Sequence, residues 1–538
     1  MPQLPPVRRQ PTAPLRAVLA CSATLVACSS AHYRADADAD VAETLATATQ
    51  QTLGGREQWV LRPELQRKDA APPPAEQPLP AEPVAPPPRT VDLPQSLSLA
   101  VRQNRTFLAQ REALYRAGLS MALTRFQFGP QFAATVNYLW PRSDGGGQSH
   151  RAGATLSGSQ ILPTGGTVSV STGLDAEWLR DHGGPDDELF GGSAGVTLTQ
   201  PLLRGAGHAI SHEPLTQAER QLAYAIRDFE LFRQDFTIEV AQSFFALRSQ
   251  QQTLANEERN LARAEFDRRQ AEALLQVGRK AEAEVFLARR REIEARDQLI
   301  DASAAFDRAV DEFKILLGLP TEAPLELAEV EPVYEPVRFE VRSAIAAALH
   351  NRLDLITQRQ ALEDTERSLH IAENDLLPDL NLVANYGRTG SGDRLGDAAP
   401  DRWSSSVGVE FVLPLQRLPQ RNAYRSSLIA LEQARRELQL REDQLELEIR
   451  NAMRQLHSIE ERITLQEDQI VHERRAARVT RIRFEGGAGS NRDLLEAEQA
   501  LIDAENALIR LKVDHFVARL RLLRDMGVFF VDDEGMWR

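Results

Sequence analysis

Three things are scarce in this chain of 538 residues. Its two cysteines, Cys21 and Cys28, lie close to the N-terminus. A chain that begins at Cys28 therefore has no disulfide and no thiol-based metal site. Nowhere do about 18 apolar residues run together, so no transmembrane helix is available. A membrane could be crossed only by a closed β-barrel, which leaves no backbone group unpaired in lipid. Basic residues are outnumbered 63 to 77, and a net charge of −14 argues against nucleic acid as a partner. Catalytic constellations are missing too: there is no nucleotide-binding lysine loop, no paired-histidine zinc helix and no CxxC. "GGAGS" (486–490) lacks the lysine and preceding strand of a phosphate loop and reads as a hairpin turn. His208 and His212, four apart beside Gly205 and Gly207, read as solvated loop histidines rather than metal ligands. No cofactor is called for, and an enzyme has no support.

What is present begins with an export signal. Arg8, Arg9 and Arg16 precede the apolar run "AVLACSATLVA" (17–27), and Cys28 follows. That is the order of a secretory signal. "LVAC" (25–28) is similar to a bacterial lipobox, in which Cys28 becomes the lipidated first residue. Ser29 in place of Asp favours the outer membrane, as in lipoproteins resembling those of enteric bacteria. We read 1–27 as signal peptide and 28–95 as a lipid-anchored acidic and Pro-rich tether. Its "AAPPPAEQPLPAEPVAPPP" is an extended spacer, with room for one helix in "ADADADVAETLATATQQTLG".

Charged residues at 26% with aromatics at 6% suggest long helices, and their order occurs twice. A helical pattern that starts at Leu97 and stops at Gly129 and Pro130 leads into a β-rich block (131–202). A long helix from about His212 breaks near Gly278 and ends at "LLGLP" (316–320). After a linker (320–340) carrying four prolines, helix, strands (379–388 and 402–413), long helix and glycine break recur. Gly278/Gly487 and Gly318/Gly527 share one offset, 487 − 278 = 527 − 318 = 209. "PQFAATVNY" and "PDLNLVANY" align at 378 − 130 = 248, and "GVTLTQPLLR" and "GVEFVLPLQR" at 414 − 201 = 213. The first repeat (96–319) thus holds 248 − 213 = 35 residues that the second (341–530) lacks. Residues 531–538 are left as a C-terminal tail. Helices over 212–276 and 420–484 would each be about 100 Å long at 1.5 Å per residue. The shorter helices 97–127 and 279–317, stacked end to end, match one such rod. Helices of this length are coiled-coil walls.

The strands each have one oily side. In "TVSVSTGLDAEW" (167–178), Val168, Val170, Leu174 and Trp178 oppose Thr167, Ser169, Ser171 and Asp175. The same alternation runs through 131–140, 379–388 and 402–413, with further candidates at 152–162 and 193–200. Strands of about ten residues with one apolar face suit a membrane barrel, although a soluble β-sandwich shows the same alternation. Two features favour the barrel. Trp140 and Trp178 end outgoing strands and Trp403 begins a returning one, which suits an aromatic girdle. Connections at that level are long and polar, whereas the one at the other level is the tight "PTGG" (163–166). One chain has too few strands to close a wide pore, so the barrel must be shared between chains.

Together with "TQPLLRG" (199–205) and "RFEGGAGSNRDLLEAEQALIDAENALI" (483–509), this duplicated arrangement resembles the TolC-type outer-membrane efflux factors, in their lipid-anchored branch. The resemblance covers about residues 95–530. It implies a mainly α fold with a transmembrane β-barrel part: long α-hairpins in a coiled-coil barrel, continued by strands forming a shared trimeric outer-membrane barrel. It also implies a homotrimer in outer-membrane lipid, extending into the periplasm, with an adaptor (membrane fusion) protein and an inner-membrane pump or secretion ATPase at its inner end. The function implied is the exit duct of a tripartite efflux or type I secretion system. Aligning on the tip glycines places lumen and gate acids at Glu284, Asp493 and Glu496. The family's gate arginine falls on Gly489 and its gate tyrosine on Phe484; Arg483 or Arg492 could substitute. Hairpin-tip adaptor contacts fall at Val277, Gly278, Gly486, Gly487 and Gly489, within 277–280 and 486–491. Family members have two strands per repeat and twelve in the barrel. Four candidate strands in the first repeat imply eighteen, or an inserted pair that folds elsewhere. The rival from another class is a lipid-anchored periplasmic coiled-coil scaffold with a soluble β module.

Overall fold

The computed structural model describes residues 30–54, 89–140, 148–180, 187–279, 281–330, 332, 334–486 and 488–537. Its elements, in order, are α1 (Ser30–Leu53), β1 (Arg89–Val91), α2 (Leu93–Gln103), α3 (Arg105–Phe128) and four strands, β2 (Gln131–Leu139), β3 (Gln148–Ile161), β4 (Thr167–Arg180) and β5 (Asp187–Pro201). The short α4 (His208–Ser211), the long α5 (Glu213–Gln276), α6 (Glu282–Leu317) and β6 (Leu325–Leu327) complete the first half. The second half has α7 (Val341–Asn351), α8 (Leu353–Asn374), β7 (Asp379–Gly392), β8 (Arg402–Val412), α9 (Leu418–Glu485) and α10 (Asn491–Asp525).

Each repeat begins with two helices where the periodicity predicts one. Asp92 caps α2 in a capping box with Gln95, and Asn104 then ends α2 and caps α3 by accepting from Phe107 N at 2.9 Å. Arg352 marks the same break between α7 and α8. The repeat glycines explain the break. Gly318 and Gly527 both end a helix at positive φ, 76° and 68°. A Cβ on Gly318 would lie 2.9 Å from Asn104 N, and one on Gly527 2.9 Å from Arg352 N. Each glycine thus lets a returning helix end against the kink of its own repeat.

The core follows from this. Phe107 of α3 packs on Phe229, Phe232 and Phe236 of α5, with ring centroids 5.2–5.8 Å apart. Phe244, Phe245 and Phe313 continue the cluster toward α6. In the second repeat a smaller cluster centres on Ala344, Ala348, Leu355, Leu445, Ile449 and Leu522. The two halves meet along α5 and α8 through a polar ladder: Glu213 with Arg367 at 2.9 Å, Arg220 with Glu363 at 2.8 Å, and Tyr224 with Asp364 at 2.6 Å. Burial and the Asp364 hydrogen bond push the Tyr224 hydroxyl up to about 12.

The tether, the linker and the C-terminal tail each contribute to the packed structure, the tether through the one helix its sequence has room for. Residues 30–53 of the expected tether form α1, whose Val41, Thr44, Leu45 and Thr49 are buried. The reason is a helical stripe spaced i, i+3, i+4, i+8 that fits beside α3 and α5. The proline linker supplies β6, which pairs in parallel with β1. The C-terminal tail is held by buried Arg233, which donates to Val531 O at 3.0 Å and Asp532 O at 2.7 Å.

All six long strands join one antiparallel sheet, in the order β2-β3-β4-β5-β7-β8. The inserted pair, β3 and β4, is therefore part of the same wall. β3 pairs from Gln148 to Ile161 with β4, and β4 from Thr167 to Leu179 with β5. The tight turn between β3 and β4 is pinned below: Gly207 N donates to Thr164 O at 3.0 Å and Ser211 Oγ to Pro163 O at 3.3 Å.

Candidate functional site

Register turns six separate alternations into two continuous faces. Phe132, Gly158, Val170, Val196 and Tyr386 lie opposite one another in a row, and Gln160, Val168, Leu198, Ala384 and Val407 in another. On the other face, Gln131, Ser159, Ser169, Thr197, Asn385 and Ser406 form a row. There Thr197 Oγ1 donates to Asn385 Oδ1 at 2.9 Å. The first face suits lipid and the second an aqueous lumen. Toward the outer end of the apolar face, Gly192 and Gly390 leave room for the backbone of Ala398 and Ala399 to fold back onto the sheet.

The three tryptophans are not one cluster. Trp140 stacks on His150 at 5.4 Å between ring centroids, and His150 lies in register with Trp178. Trp403 pairs instead with Arg388, in a row that reaches β4 at Thr172, six residues short of Trp178. Strand pairing, which periodicity does not encode, sets these positions.

Below the sheet the helices make an arc. In the half toward the hairpin tips, α6 packs on α5, α5 on α10 and α10 on α9. α6 and α9 are thus its two flanks, and both carry apolar side chains in the open. Phe286, Ile293 and Ile300 of α6 are 60%, 69% and 61% exposed, and Leu465, Val471 and Val479 of α9 are 68%, 45% and 49% exposed. The first three stand 286 − 278 = 8, 293 − 278 = 15 and 300 − 278 = 22 residues beyond Gly278. The others stand 486 − 479 = 7, 486 − 471 = 15 and 486 − 465 = 21 residues before Gly486. Both flanks therefore present apolar groups at matching heights. This feature was missed in the sequence, although the sevenfold spacing 286/293/300 is visible there.

The tips end as glycine turns. Gly278 has φ 70°, and Arg279 N closes the turn on Leu274 O at 2.8 Å. Val277 is 67% exposed, and Gly278 and Gly486 are exposed beside it. Gly487, Lys280 and Cys28 lie outside the described residues. A Cβ on Gly489 would come within 2.9 Å of Phe484 N, so this turn has no space for the family's arginine at that position.

Glu284 and Asp493 are exposed in the first turns of α6 and α10. Glu496 is exposed as well, but Arg492 Nε donates to its Oε1 at 2.7 Å, one turn away on the same helix. The Arg492 hydrogen bond and charge hold the Glu496 carboxyl below its ordinary value. The expected acidic pair is thus half neutralised by a cation of its own. Behind it, Arg268 bridges Glu272 and Glu292 across α5 and α6, and Arg481 meets Glu498 across α9 and α10. His208 and His212 stack at 4.3 Å between ring centroids, and burial, then His208, push His212 down. Among the described residues no group of three or more His, Cys, Asp or Glu is arranged to hold a metal.

Known proteins share this construction. The family model for outer membrane efflux proteins matches residues 344–528, the second repeat. The alkaline protease secretion protein AprF of Pseudomonas aeruginosa is 28% identical over 62% of this chain and 69% of its own. The outer membrane efflux protein BepC of Brucella suis is 24% identical over 64% of this chain and 74% of its own. Among solved structures, the Campylobacter jejuni outer membrane channel CmeC superposes with a TM-score of 0.61 at 15% identity, covering 81% of this chain and 85% of that one. The Vibrio cholerae outer membrane protein VceC gives 0.60 at 15%, covering 81% and 96%. These likenesses carry the fold, and the two sequence relatives carry the kinship. Residues 344–528 are thus an outer membrane efflux protein domain, and the duplicated helical duct wall, two-faced sheet and glycine-turned tips give the whole chain the fold of the TolC-type channels, a family of transport ducts rather than enzymes.

Proposed function

We propose that three copies of this chain form the outer-membrane exit duct of a tripartite efflux or type I secretion system, conducting cargo passively. The observation that carries this reading is the open apolar face of the sheet. Phe132, Val136, Trp403, Val407 and Val409 are 65–79% exposed on one side of a single layer. A soluble β module, as the scaffold reading requires, would bury such a face against a second layer. Lipid covers it without one. The exposed flanks of α6 and α9 then become the seams at which copies meet, and Val277, Gly278, Gly486, Gly487 and Gly489 the contacts for an adaptor. An inner-membrane pump or secretion ATPase completes the path.

Three copies bring Glu284, Asp493 and Glu496 around the inner end of the tunnel. With Arg492 paired to Glu496, the Asp493/Glu496 ring carries six carboxylates and three guanidinium groups, a net −3. That is a moderate field for cations.

The reading includes removal of 1–27 and a lipid on Cys28, with consequences for α1. Tyr115 donates to Asp38, and a Cβ on Gly118 would meet Val41 and Leu45 at 3.0–3.3 Å. These contacts make α1 run parallel to α3, toward the sheet. The N-terminus of α1 then lies roughly 30 Å below the inner end of the sheet, at 1.5 Å per residue. A lipid on Cys28, two residues before α1, reaches the same bilayer only when α1 leaves its groove.

The test is the native mass of the Cys28→Ser protein after membrane fractionation. Detergent-dependent extraction as a trimer supports the duct. Release into buffer would replace it with the scaffold.

A further inference from the structure

Six strands per chain is an unusual allotment for this architecture, and the inserted hairpin is not peripheral to the wall. It occupies the second and third places in the sheet, with β2 on one side of it and β5 on the other. Removing it from the wall would break the pairing from Gln131 to Leu139 of β2 and from Thr167 to Leu179 of β4. Its faces are also sorted with the rest: Val170 and Leu174 lie in apolar rows, Ser169 and Ser171 in polar ones.

Among the described residues, one edge of β2 and one edge of β8 have no strand beside them. Neither edge can stay unpaired in lipid, where an open backbone N–H or C=O has no water to bond. β2 runs away from the helices and β8 returns toward them. A β2 edge therefore meets the β8 edge of a second copy in the antiparallel sense of the rest of the sheet, continuing both faces without interruption. The apolar flanks of α6 and α9, matched in height, place that same second copy alongside.

We propose that the copies close β2 onto β8 of the neighbour into an eighteen-stranded barrel, three times six, rather than a twelve-stranded one. The proposal rests on the trimeric duct reading and deepens it. Width is the consequence. At a strand spacing of about 4.8 Å and a tilt of about 40°, eighteen strands give a backbone diameter of roughly 36 Å, against roughly 24 Å for twelve. Four helical rods per chain make twelve in the tunnel, and at about 9–10 Å between axes a ring of twelve spans roughly 35–39 Å. The wider barrel meets that tunnel without a step. Its lumen face keeps the gain, because the residues in its rows are largely Ser, Thr, Gly and Asn. At the level of the strands, such an exit admits a polypeptide with helical structure as well as small solutes.

Two measurements test this on the full chain. An image reconstruction of the detergent-extracted protein counts strands directly. Cysteines introduced one at a time as Val170→Cys, Leu174→Cys, Ser169→Cys and Ser171→Cys, in the Cys28→Ser background, are labelled in membranes with a water-soluble maleimide. Eighteen strands, with positions 169 and 171 labelled at least tenfold faster than 170 and 174, is the expected result. A trimer with twelve strands, or equal labelling of all four positions, overturns the wide barrel and leaves the duct standing. A soluble species without a barrel overturns the duct reading itself, and the wide barrel with it.

Discussion

Replacing Phe286 and Ile293 with aspartate should loosen the assembly without disturbing the chain. Both side chains are open in the single chain, at 60% and 69% exposure, so the variants have little contact within the chain to lose. Fully burying a large apolar side chain contributes about 1.5–3 kcal/mol, and with some two-thirds of that still available each would supply about 1–2 kcal/mol at a seam. Two residues at three seams amount to about 6–12 kcal/mol per trimer, before any cost of burying the new carboxylates. At 1.4 kcal/mol per factor of ten, even the lower figure weakens trimer association by about four orders of magnitude. The assay is native mass against temperature in detergent, with far-ultraviolet circular dichroism as the check on helix content. Unchanged helix content with early dissociation is the expected result. A doubly substituted protein that stays trimeric to the same temperature as the parent would show that this face of α6 meets water, and the seam assignment would fall.

Three further outcomes follow from named contacts. Arg492→Gln releases Glu496 from its partner and takes the Asp493/Glu496 ring from net −3 to −6, so cation selectivity in planar bilayers should rise, while Glu496→Gln should lower it. Gly118→Leu adds bulk where a Cβ alone would already meet Val41 and Leu45 at 3.0–3.3 Å; α1 should undock, seen as protease cleavage within 30–53 under conditions that spare α3. Asp354 is the pH-sensitive case. Burial raises its carboxyl, but the hydrogen bond from Arg441 and the charge of Arg352 outweigh it and leave the group below its ordinary 3.8. A depressed carboxyl stabilises the fold at pH above that ordinary value, and the contribution is lost as the pH falls below it. Asp354→Asn should therefore lower the melting temperature at pH 7 and narrow the gap to the parent at pH 3; an equal gap at both would refute the pairing.

Local order left clear marks in the sequence. Strand faces follow from period two, because successive side chains point to opposite sides whatever the strand pairs with. The long rods and their glycine-broken tips follow from periodicity and from the positive φ that Gly278 supplies. Duplication is legible by subtraction alone, and it places Gly318 and Gly527 at the same joint of both repeats. The candidate tip residues were found this way, by position relative to a turn.

What the chain alone could not decide are questions of partnership between distant segments. Whether β3 and β4 join the wall depends on hydrogen bonds to strands up to dozens of residues away, and backbone pairing is not written in side-chain alternation. Docking of α1 depends on a groove that exists only after α3 and α5 have met. That Trp403 sits apart from Trp140 and Trp178 is a matter of register, and that Glu496 is held by Arg492 is a matter of rotamer. The sequence determined the pieces and their order, since each is set by neighbours within a turn or two. The tertiary structure decided their company, because contacts across hundreds of residues are chosen by shape and unpaired backbone rather than by local pattern.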